Sequence, residues 1–435
     1  MNNDYLSRMR SLLGSEFEDY LLSLRNAPVR GLRINTLKRP NERVEGICAE
    51  PSPFAENGWI MDPSCNIGST PEYLCGHVYP QEPSASFAVT AMDLKPGMRV
   101  LDLCAAPGSK STQIAEALGN SGLLAANEIV SSRASILKEN LERSECANAV
   151  ILNNSPAEIA KVFPEYFDAV LCDAPCSGEG MFRKDPDAEH HWSSEHVASC
   201  AIRQSAILDS ASECVRPGGM LLYSTCTFSV EENEANILSF LERHPEFVIE
   251  PIPAAGGRNG INLGRNTGLS RRIYPMDGGE GHFVARMRKE GNAVPPAFPL
   301  LKSDKIPSEA LSFLKEHLSN PFPYLYMHKG SVYGGTHPFI ACSGLHLIRH
   351  QTLLGTVRGN RFEPSHALAM SSWTKLNPSA ELTADQFAAY RRGETIPAAC
   401  GKGWMAVRIA GMQAGLVKSD GRILKNHYPK AFRIR

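Results

Sequence analysis

No apolar run in the 435-residue chain approaches the roughly 18 consecutive hydrophobic positions that a membrane-spanning helix needs. The first residues, Met1-Asn2-Asn3-Asp4-Tyr5, hold neither the basic patch nor the apolar block of a signal peptide. A soluble cytoplasmic protein is therefore expected. Cysteine is sparse: twelve scattered thiols are too dilute for the disulfide framework of a secreted domain. No pair of C-x-x-C knuckles is present to hold zinc, so no metal is expected. A composition of 43% hydrophobic and 21% charged residues excludes a disordered, collagen-like or mucin-like chain. What is present is length: at roughly 100–200 residues per domain it allows two to four domains, with a sizeable core and no covalent staples.

The net charge of −1 conceals a division along the chain. Residues 291–435 carry 18 Lys and Arg against 8 Asp and Glu, so the acidic excess lies before them. The last 34 residues hold eight basic side chains and one acidic one. A basic lobe beside an acidic one suits a polyanion, with nucleic acid first; a solvated basic tail is the plainer alternative.

Residues 4–25 place Leu6, Met9, Leu12, Leu13 and Phe17 at helical spacing and predict one amphipathic helix. RGLRINTLK, residues 30–38, predicts a short basic strand. Residues 59–79, rich in Gly, Pro, Ser and Cys, predict loop and turn. From about residue 98 the pattern is regular. Strands over 98–104, 122–127, 148–152, 167–172 and 220–223 alternate with helices over 109–118, 131–144, 194–215 and 231–243. Such alternation predicts a parallel sheet covered on both faces, with ligand chemistry beyond the carboxyl ends of its strands. A Pro/Gly-bearing linker over 289–299 leads to a C-terminal region of short strands and many glycines, expected to divide again near 359–365.

The segment Cys-Ala-Ala-Pro-Gly-Ser-Lys at 104–110 joins the first regular strand to a helix. Small residues Ala105, Ala106, Gly108 and Ser109 allow a ligand close to the backbone. The turn is neither G-x-G-x-x-G nor a P-loop. Glu128 ends the second strand twenty positions after Gly108, where a carboxylate can accept hydrogen bonds from ribose hydroxyls. The pair of features points to a nucleoside cofactor; a solvated strand-end acid is the plainer reading of Glu128.

The fourth strand leads through Cys172 and Asp173 to Cys176, and the fifth through Ser224 to Cys226. Neighbouring strand ends bring Cys176 and Cys226 to one cleft, with Asp173 on the same rim. Two thiols and an acid over a nucleoside cofactor suit methylation of cytosine at carbon 5. That carbon is a poor nucleophile until a thiolate adds at carbon 6. The addition needs a proton or hydrogen bond at N3, which a carboxyl group could supply, and a base must later remove the carbon-5 proton. A free thiol has a pKa of about 8.5, so the nucleophile needs help to ionise, which a positively charged sulfonium cofactor could give. This chemistry does not decide which cysteine attacks. Buried cysteines are also common small hydrophobes, the default for Cys104, Cys146 and Cys172. A redox dithiol is the weaker alternative for Cys176 and Cys226.

LDLCAAPGSKS at 101–111, NEI at 127–129, DAPCSGEGMFRKDP at 173–186 and STCTFSVEENE at 224–234 resemble the Nop/Sun family of RNA cytosine-5 methyltransferases. QEPSAS at 81–86 and GHFVARM at 281–287 extend the resemblance over residues 80–288. RGLRINTLK resembles the family's RNA-facing N-terminal motif. GRILKNHYPKAFR at 421–433 resembles the PUA-type RNA-binding extension of the bacterial RsmF branch, which acts on ribosomal RNA.

The resemblance implies an α/β fold: a Rossmann-like doubly wound methyltransferase sheet, a small N-terminal α+β RNA-binding domain and a C-terminal β-rich PUA-like region. Its boundaries fall at 1–80, 81–288, the linker 289–299, 300–362 and 363–435. It implies S-adenosylmethionine against Cys104, Ala105, Ala106, Pro107, Gly108, Ser109 and Lys110. The ribose would lie on Glu128, with Arg133 near and Asp173 beside both methyl donor and target base. Cys226 of the T-C motif would be the nucleophile, and Cys176 of the P-C motif would assist proton removal and release. The family often has an aspartate after the third strand; Asn154 and Ser155 stand there instead, and Ser155 is the expected adenine contact.

Arg33, Asn35, Arg183 and Lys184 are the expected RNA contacts, positioning the chain without specifying sequence. His190 and His191 are expected at the surface, not on a metal. The implied activity is methylation of a cytosine at carbon 5 in ribosomal RNA, the small-subunit RNA first, by a monomer. Transfer RNA or large-subunit RNA is the alternative substrate. A non-catalytic RNA-binding assembly factor is the rival of another class, which decay of either cysteine would mark; both are present.

Overall fold

The computed structural model describes residues 2–359 and 361–434. Five parallel strands form its central sheet, in the spatial order Ala149–Leu152, Leu123–Asn127, Arg99–Asp102, Phe167–Asp173 and Val215–Thr225. The chain steps outward in one direction from Arg99–Asp102, then returns and steps in the other. The reversal leaves a crevice between the first and fourth strands at their carboxyl ends. Successive residues of each strand face opposite layers: Leu101, Val170 and Leu221 enter one apolar layer, Val100, Leu171 and Leu222 the other. Cys172 and Cys146 are buried in these layers. Burial pushes both thiols up, that of Cys146 to about 12.

The sheet is not wholly parallel, as the alternation predicted. His282–Lys289 pairs antiparallel with Val215–Thr225, and Leu347–Arg349 from the C-terminal region pairs antiparallel with Ala149–Leu152. After the helix Glu234–Arg243 the chain adds the short strands Phe247–Ile249 and Arg271–Ile273, each antiparallel to His282–Lys289. The helices Ser109–Leu118 and Ser131–Ser144 match their expected spans and end in left-handed residues, Gly119 and Glu145.

The N-terminal helix is two helices, Asn3–Leu13 and Phe17–Leu24, broken at Gly14 with φ of 55°. Residues 59–79 are not simply loop. Gly58–Met61 and Val78–Pro80 flank Gly31–Ile34 in a four-stranded antiparallel sheet. Strands this short leave too few residues for a period of two to register.

Arg33 and Asn35 do not face RNA, a correction to the expectation from the N-terminal motif. They join this sheet to the helices beside the central parallel sheet. Arg33 is wholly buried and paired with Glu116 at 2.7 Å. Its guanidinium also donates to Thr112 Oγ1 at 2.8 Å, to the Ser109 carbonyl at 3.1 Å and to Gln81. Asn35 Nδ2 donates to the carbonyls of Gly76 and Ser144 at 2.8 and 3.1 Å. Removing one partner of a buried ion pair strands the other. Arg33→Ala is therefore expected to cost about 3–5 kcal/mol in denaturant unfolding. RNA affinity of the folded fraction should not change. A variant of native stability with weak RNA binding would return Arg33 to the RNA face.

The C-terminal region forms two sheets. Tyr324–His328, Ser331–Gly335, Thr352–Arg358 and Arg361–Pro364 make the first. The second contains Ser379–Glu381, Ile396–Pro397, Gly403–Ile409, Met412–Ser419 and Ile423–Asn426. They part between residues 370 and 379. The expected division at 359–365 instead contains the last strand of the first sheet. The linker is anchored: the Phe298 ring lies 4.9 Å from that of Phe163 and 4.5 Å from that of Tyr166. Among the described residues no helix is long and apolar enough to cross a membrane.

Candidate active site

Beyond the carboxyl strand ends lies a cavity of about 640 Å³, the size of a nucleoside-cofactor site. Cys104 and Ala106 of the small-residue turn line it, as do Glu128, Arg133 and Ser155. Asp173, Cys176 and Cys226 line it as well. The other turn residues shape the wall without lining it. The Ala105 N–H donates to the Asn127 carbonyl at 2.8 Å, and Asn140 Nδ2 donates to the Pro107 carbonyl at 2.7 Å. Gly108 has φ of 112°, and a Cβ there would meet Leu137 Cδ1 at 3.2 Å. Glycine thus lets the turn lie against the helix Ser131–Ser144. Ser109 caps Arg33 through its carbonyl, and Lys110 turns to Asp173.

Glu128 is buried yet reaches the cavity. One carboxylate oxygen accepts the Val130 N–H at 2.9 Å; the other lies 3.5 Å from Arg133. Arg133 is not a free surface arginine: its Nη2 donates to the Ala106 carbonyl at 2.9 Å. It ties the turn to the acid. Of the two residues at the usual aspartate position, Ser155 faces the cavity and caps the helix Pro156–Val162 with Glu158.

Asn154 turns away. Its side chain accepts the His346 N–H at 2.9 Å and donates to the His346 carbonyl at 3.1 Å, across 192 residues of sequence. The Asn153 N–H donates to the same carbonyl at 3.0 Å, and Asn153 Nδ2 donates to the Glu128 carbonyl at 2.6 Å. The C-terminal strand Leu347–Arg349 is thereby stitched to the cavity wall.

The reactive groups converge. Cys176 Sγ and Cys226 Sγ are 3.3 Å apart. Asp173 Oδ2 accepts from Lys110 Nζ at 2.8 Å, and Oδ1 accepts from Ser224 Oγ at 2.7 Å. His282 Nε2 stands 3.8 Å from Oδ1. Burial alone would raise the Asp173 carboxyl, but the Lys110 ammonium, His282 and the Ser224 hydrogen bond outweigh it and hold the group below the usual carboxylate range. Burial would lower Lys110; Asp173 more than reverses this and pushes it up. The pair is a carboxylate and an ammonium at neutral pH, so the proton that a carboxyl was expected to supply is carried by Lys110. The Cys176 thiol is pushed far up, first by its hydrogen bond to Cys226 and then by burial.

The residues that sequence reasoning missed are the ones that fix the two cysteine loops. Glu232 accepts the Ser177 N–H at 3.0 Å and Gln204 Nε2 at 2.7 Å, and also bonds the Ser177 hydroxyl. Glu179 accepts the Phe228 N–H at 2.7 Å and Ser229 Oγ at 2.6 Å. Asn233 accepts from Thr225 Oγ1 at 2.7 Å and donates to the Thr227 carbonyl at 3.0 Å. The Gly180 N–H donates to the Cys226 carbonyl at 2.9 Å. Each cysteine loop thus carries an acceptor for the other's backbone or is held by a shared acid. In the sequence this acidic run reads as the start of a helix at 231; the helix begins at Glu234. Of the preceding acids, Glu232 clamps the loops while Glu231 pairs with Arg8 at 2.6 Å.

Arg183 is a joint as well, contrary to its expected RNA role: it pairs with Glu280 at 2.8 Å and donates to the Ser23 carbonyl at 3.0 Å. Lys184, His190 and His191 are exposed. Among the described residues no group of three His, Cys, Asp or Glu is placed to hold a metal ion.

A switch-point cavity with a buried acid, a small-residue turn and a thiol pair at the next strand ends places the chain among the Rossmann-like α/β proteins, and comparison with known families gives the class, a methyltransferase. Family models cover nearly the whole chain. Residues 1–83 match the N-terminal domain of 16S rRNA methyltransferase RsmF, and 89–288 match 16S rRNA methyltransferase RsmB/F. Residues 312–371 match the RsmF rRNA methyltransferase first C-terminal domain, and 377–434 the methyltransferase RsmF PUA domain. Ribosomal RNA small subunit methyltransferase F of Escherichia coli O139:H28 (strain E24377A / ETEC) is 33% identical over 460 residues, spanning 98% of this chain and 95% of its own. That of Aliivibrio fischeri (strain MJ11) is 32% identical over 458 residues, spanning 98% and 96%.

Among solved structures, a methyltransferase homologue protein from Pyrococcus horikoshii is 29% identical with a TM-score of 0.60, over 66% of this chain and 95% of its own. NSun6 from Pyrococcus horikoshii, solved with SFG, shares the fold at 22% identity and a TM-score of 0.59, over 67% and 99%. The chain belongs to the RsmF family of 16S ribosomal RNA methyltransferases.

Proposed function

We propose that the chain methylates carbon 5 of a cytosine in 16S ribosomal RNA, using S-adenosylmethionine and a covalent adduct on Cys226. The observation that carries this reading is the 3.3 Å contact of the Cys176 and Cys226 sulfurs beside the paired Asp173 and Lys110. The bound cofactor supplies an electrophilic methyl group on a positively charged sulfur. Glu128 receives the ribose hydroxyls, Arg133 holds Glu128 and the Ala106 carbonyl in place, and Ser155 stands on the adenine side. The target base leaves its stack to reach the cavity.

The Cys226 sulfur adds to carbon 6 while Asp173 and Lys110 together supply the hydrogen bond at N3. After methylation, the carbon-5 proton leaves and Cys226 is expelled, restoring the aromatic ring. Cys176 assists here. The largest cause holding its proton is the interaction with the Cys226 sulfur. Once that sulfur is bonded to carbon 6, only burial still raises the thiol. Cys176 gives its proton to solvent and takes the carbon-5 proton as a thiolate. The electron pair of the broken C–H bond restores the ring as Cys226 leaves as thiolate. Lys184 and the basic C-terminal domain supply phosphate contacts, and one chain provides every group named, so a monomer suffices.

The test is a labelled methyl donor with 16S, 23S and transfer RNA in separate reactions, followed by nucleoside analysis. Label in 5-methylcytidine from 16S RNA alone is expected. Label in 5-methylcytidine from another RNA moves the substrate, and label in a different nucleoside sinks the reading. Binding with no transfer to any RNA favours the assembly-factor alternative.

A further inference from the structure

A second cavity, of about 480 Å³, opens at the other rim of the sheet. Ser372 in its wall bonds Asn120 and the Glu145 carbonyl, which lie just ahead of the strands Leu123–Asn127 and Ala149–Leu152. Three parts of the chain meet there. Lys38 and His77 come from the N-terminal domain, Lys375 from the segment between the two C-terminal sheets, and Arg408 from the second of those sheets. Among the described residues these are its only titratable lining residues, and no acidic side chain lines it.

Among the described residues none of the four is ion-paired. The nearby acids are engaged elsewhere: Glu145 with Arg349 at 3.3 Å and with Thr352, and Glu381 with the Gly411 N–H at 3.0 Å. Lys38 Nζ is anchored on the carbonyls of Cys75 and Arg143, both at 2.9 Å, which fixes its charge in the wall. Arg408 Nε is buried with no hydrogen-bond partner. Burial pushes His77 down to about 3, so at neutral pH it is an uncharged donor. The cations are Lys38, Lys375 and Arg408, which repel one another around one cavity; the buried Arg408 donor left unpaired is a further cost. Both costs vanish if an anion with several acceptor oxygens enters.

We propose that this cavity binds a phosphate-type oxyanion, gripped by Arg408 and Lys375 against Lys38 and His77. A guanidinium fork matches the paired oxygens of such a group. The anion has two sources: a phosphodiester of the substrate RNA away from the target base, or a free phosphate compound. The first rests on the RNA reading above; the site itself does not. The helix Ser131–Ser144 measures the spacing. Arg133 at its start lines the catalytic cavity, and the Arg143 carbonyl at its end holds Lys38. The ten residues from Arg133 to Arg143 set these two points roughly 15 Å apart along the helix. An RNA that fills both must therefore wrap the edge of the sheet.

The test uses the full chain, Lys375→Gln and the double variant Lys375→Gln/Arg408→Gln. Lys375 is exposed, so its single variant keeps the test open should the double variant fold poorly. One arm follows the salt dependence of affinity for a 16S RNA fragment. Each lost phosphate contact should flatten the logarithmic slope by about 0.7–0.9, and affinity at low salt should fall roughly tenfold in the double variant. The other arm compares the thermal midpoint in inorganic phosphate and in chloride at equal ionic strength. A rise in wild type that the variants lack, with an unchanged RNA slope, assigns the site to a free phosphate compound. Unchanged slope and unchanged phosphate response in both variants overturn the proposal. Methyl transfer at saturating RNA is expected to stay intact, since neither residue lines the catalytic cavity. A wild type without methyl transfer would sink the proposed function and leave the phosphate arm standing.

Discussion

Cys226→Ala is expected to abolish methyl transfer, and Cys176→Ala to accumulate protein covalently bound to RNA. The two sulfurs touch at 3.3 Å, so either one is placed to reach the same base. What separates them is their motifs: Cys226 stands in the T-C motif that in the resembling family carries the nucleophile, and Cys176 in the P-C motif that carries the release group. Without Cys176 the addition and the methylation proceed, and the last proton removal stalls. Wild type and both variants, expressed in cells and run on a denaturing gel, settle the assignment. A shifted band only for Cys176→Ala supports it. A shifted band for Cys226→Ala reverses the two roles.

Asp173→Asn should carry the second large effect, a fall in kcat of about 10²–10⁴, the range for a lost acid–base group. RNA affinity should barely change. The amide keeps the shape but has a single acceptor oxygen, so it can accept from Lys110 or from Ser224 and not from both, and it removes the charge that neutralises a buried ammonium. Burial would lower Lys110, and Asp173 is the largest of the groups that push it up. With that carboxylate gone, burial prevails and Lys110 holds its proton only at lower pH.

Activity of Asp173→Asn, taken as a fraction of wild type at the same pH, should therefore fall as pH rises. The stability signs agree. Asp173 is depressed, so its contribution is present above the unfolded carboxyl pKa of about 3.9 and is lost as pH falls through the folded value. Lys110 is raised, so its contribution is full below the unfolded lysine pKa of about 10.4 and is lost on passing the folded one. A variant within tenfold of wild type at every pH would remove Asp173 from the chemistry.

The parts of this molecule legible in the sequence are those set by local rules. The helices Ser109–Leu118 and Ser131–Ser144 follow from apolar spacing and left-handed stops, and the crevice follows from strands alternating with helices. The small-residue turn and the two strand-end cysteines are contiguous motifs, so they could be placed before any contact was known. What stayed hidden depends on partners distant along the chain. A basic residue looks the same whether it meets a phosphate or a carboxylate. Arg33 meets Glu116 across 83 positions and Arg183 meets Glu280 across 97, so both became joints and not RNA contacts. Glu179 and Glu232 look like solvated charge, yet both are buried acceptors for loop N–H groups. The antiparallel strand Leu347–Arg349 is three residues long, and only its fit to a sheet edge makes it a strand.

That short strand has a wider consequence. A sheet ending at Ala149–Leu152 would present a row of open backbone donors and acceptors, the surface by which folded chains stick to one another. Here the chain covers its own edge. Arg349 and Thr352 fasten the cover to the buried Glu145, while Asn153 and Asn154 fasten its start beside the cavity. The C-terminal region is therefore more than a handle for RNA. It is a selvedge woven into the methyltransferase core, and the protection of that core from its neighbours and the firmness of its cofactor wall depend on the same few hydrogen bonds.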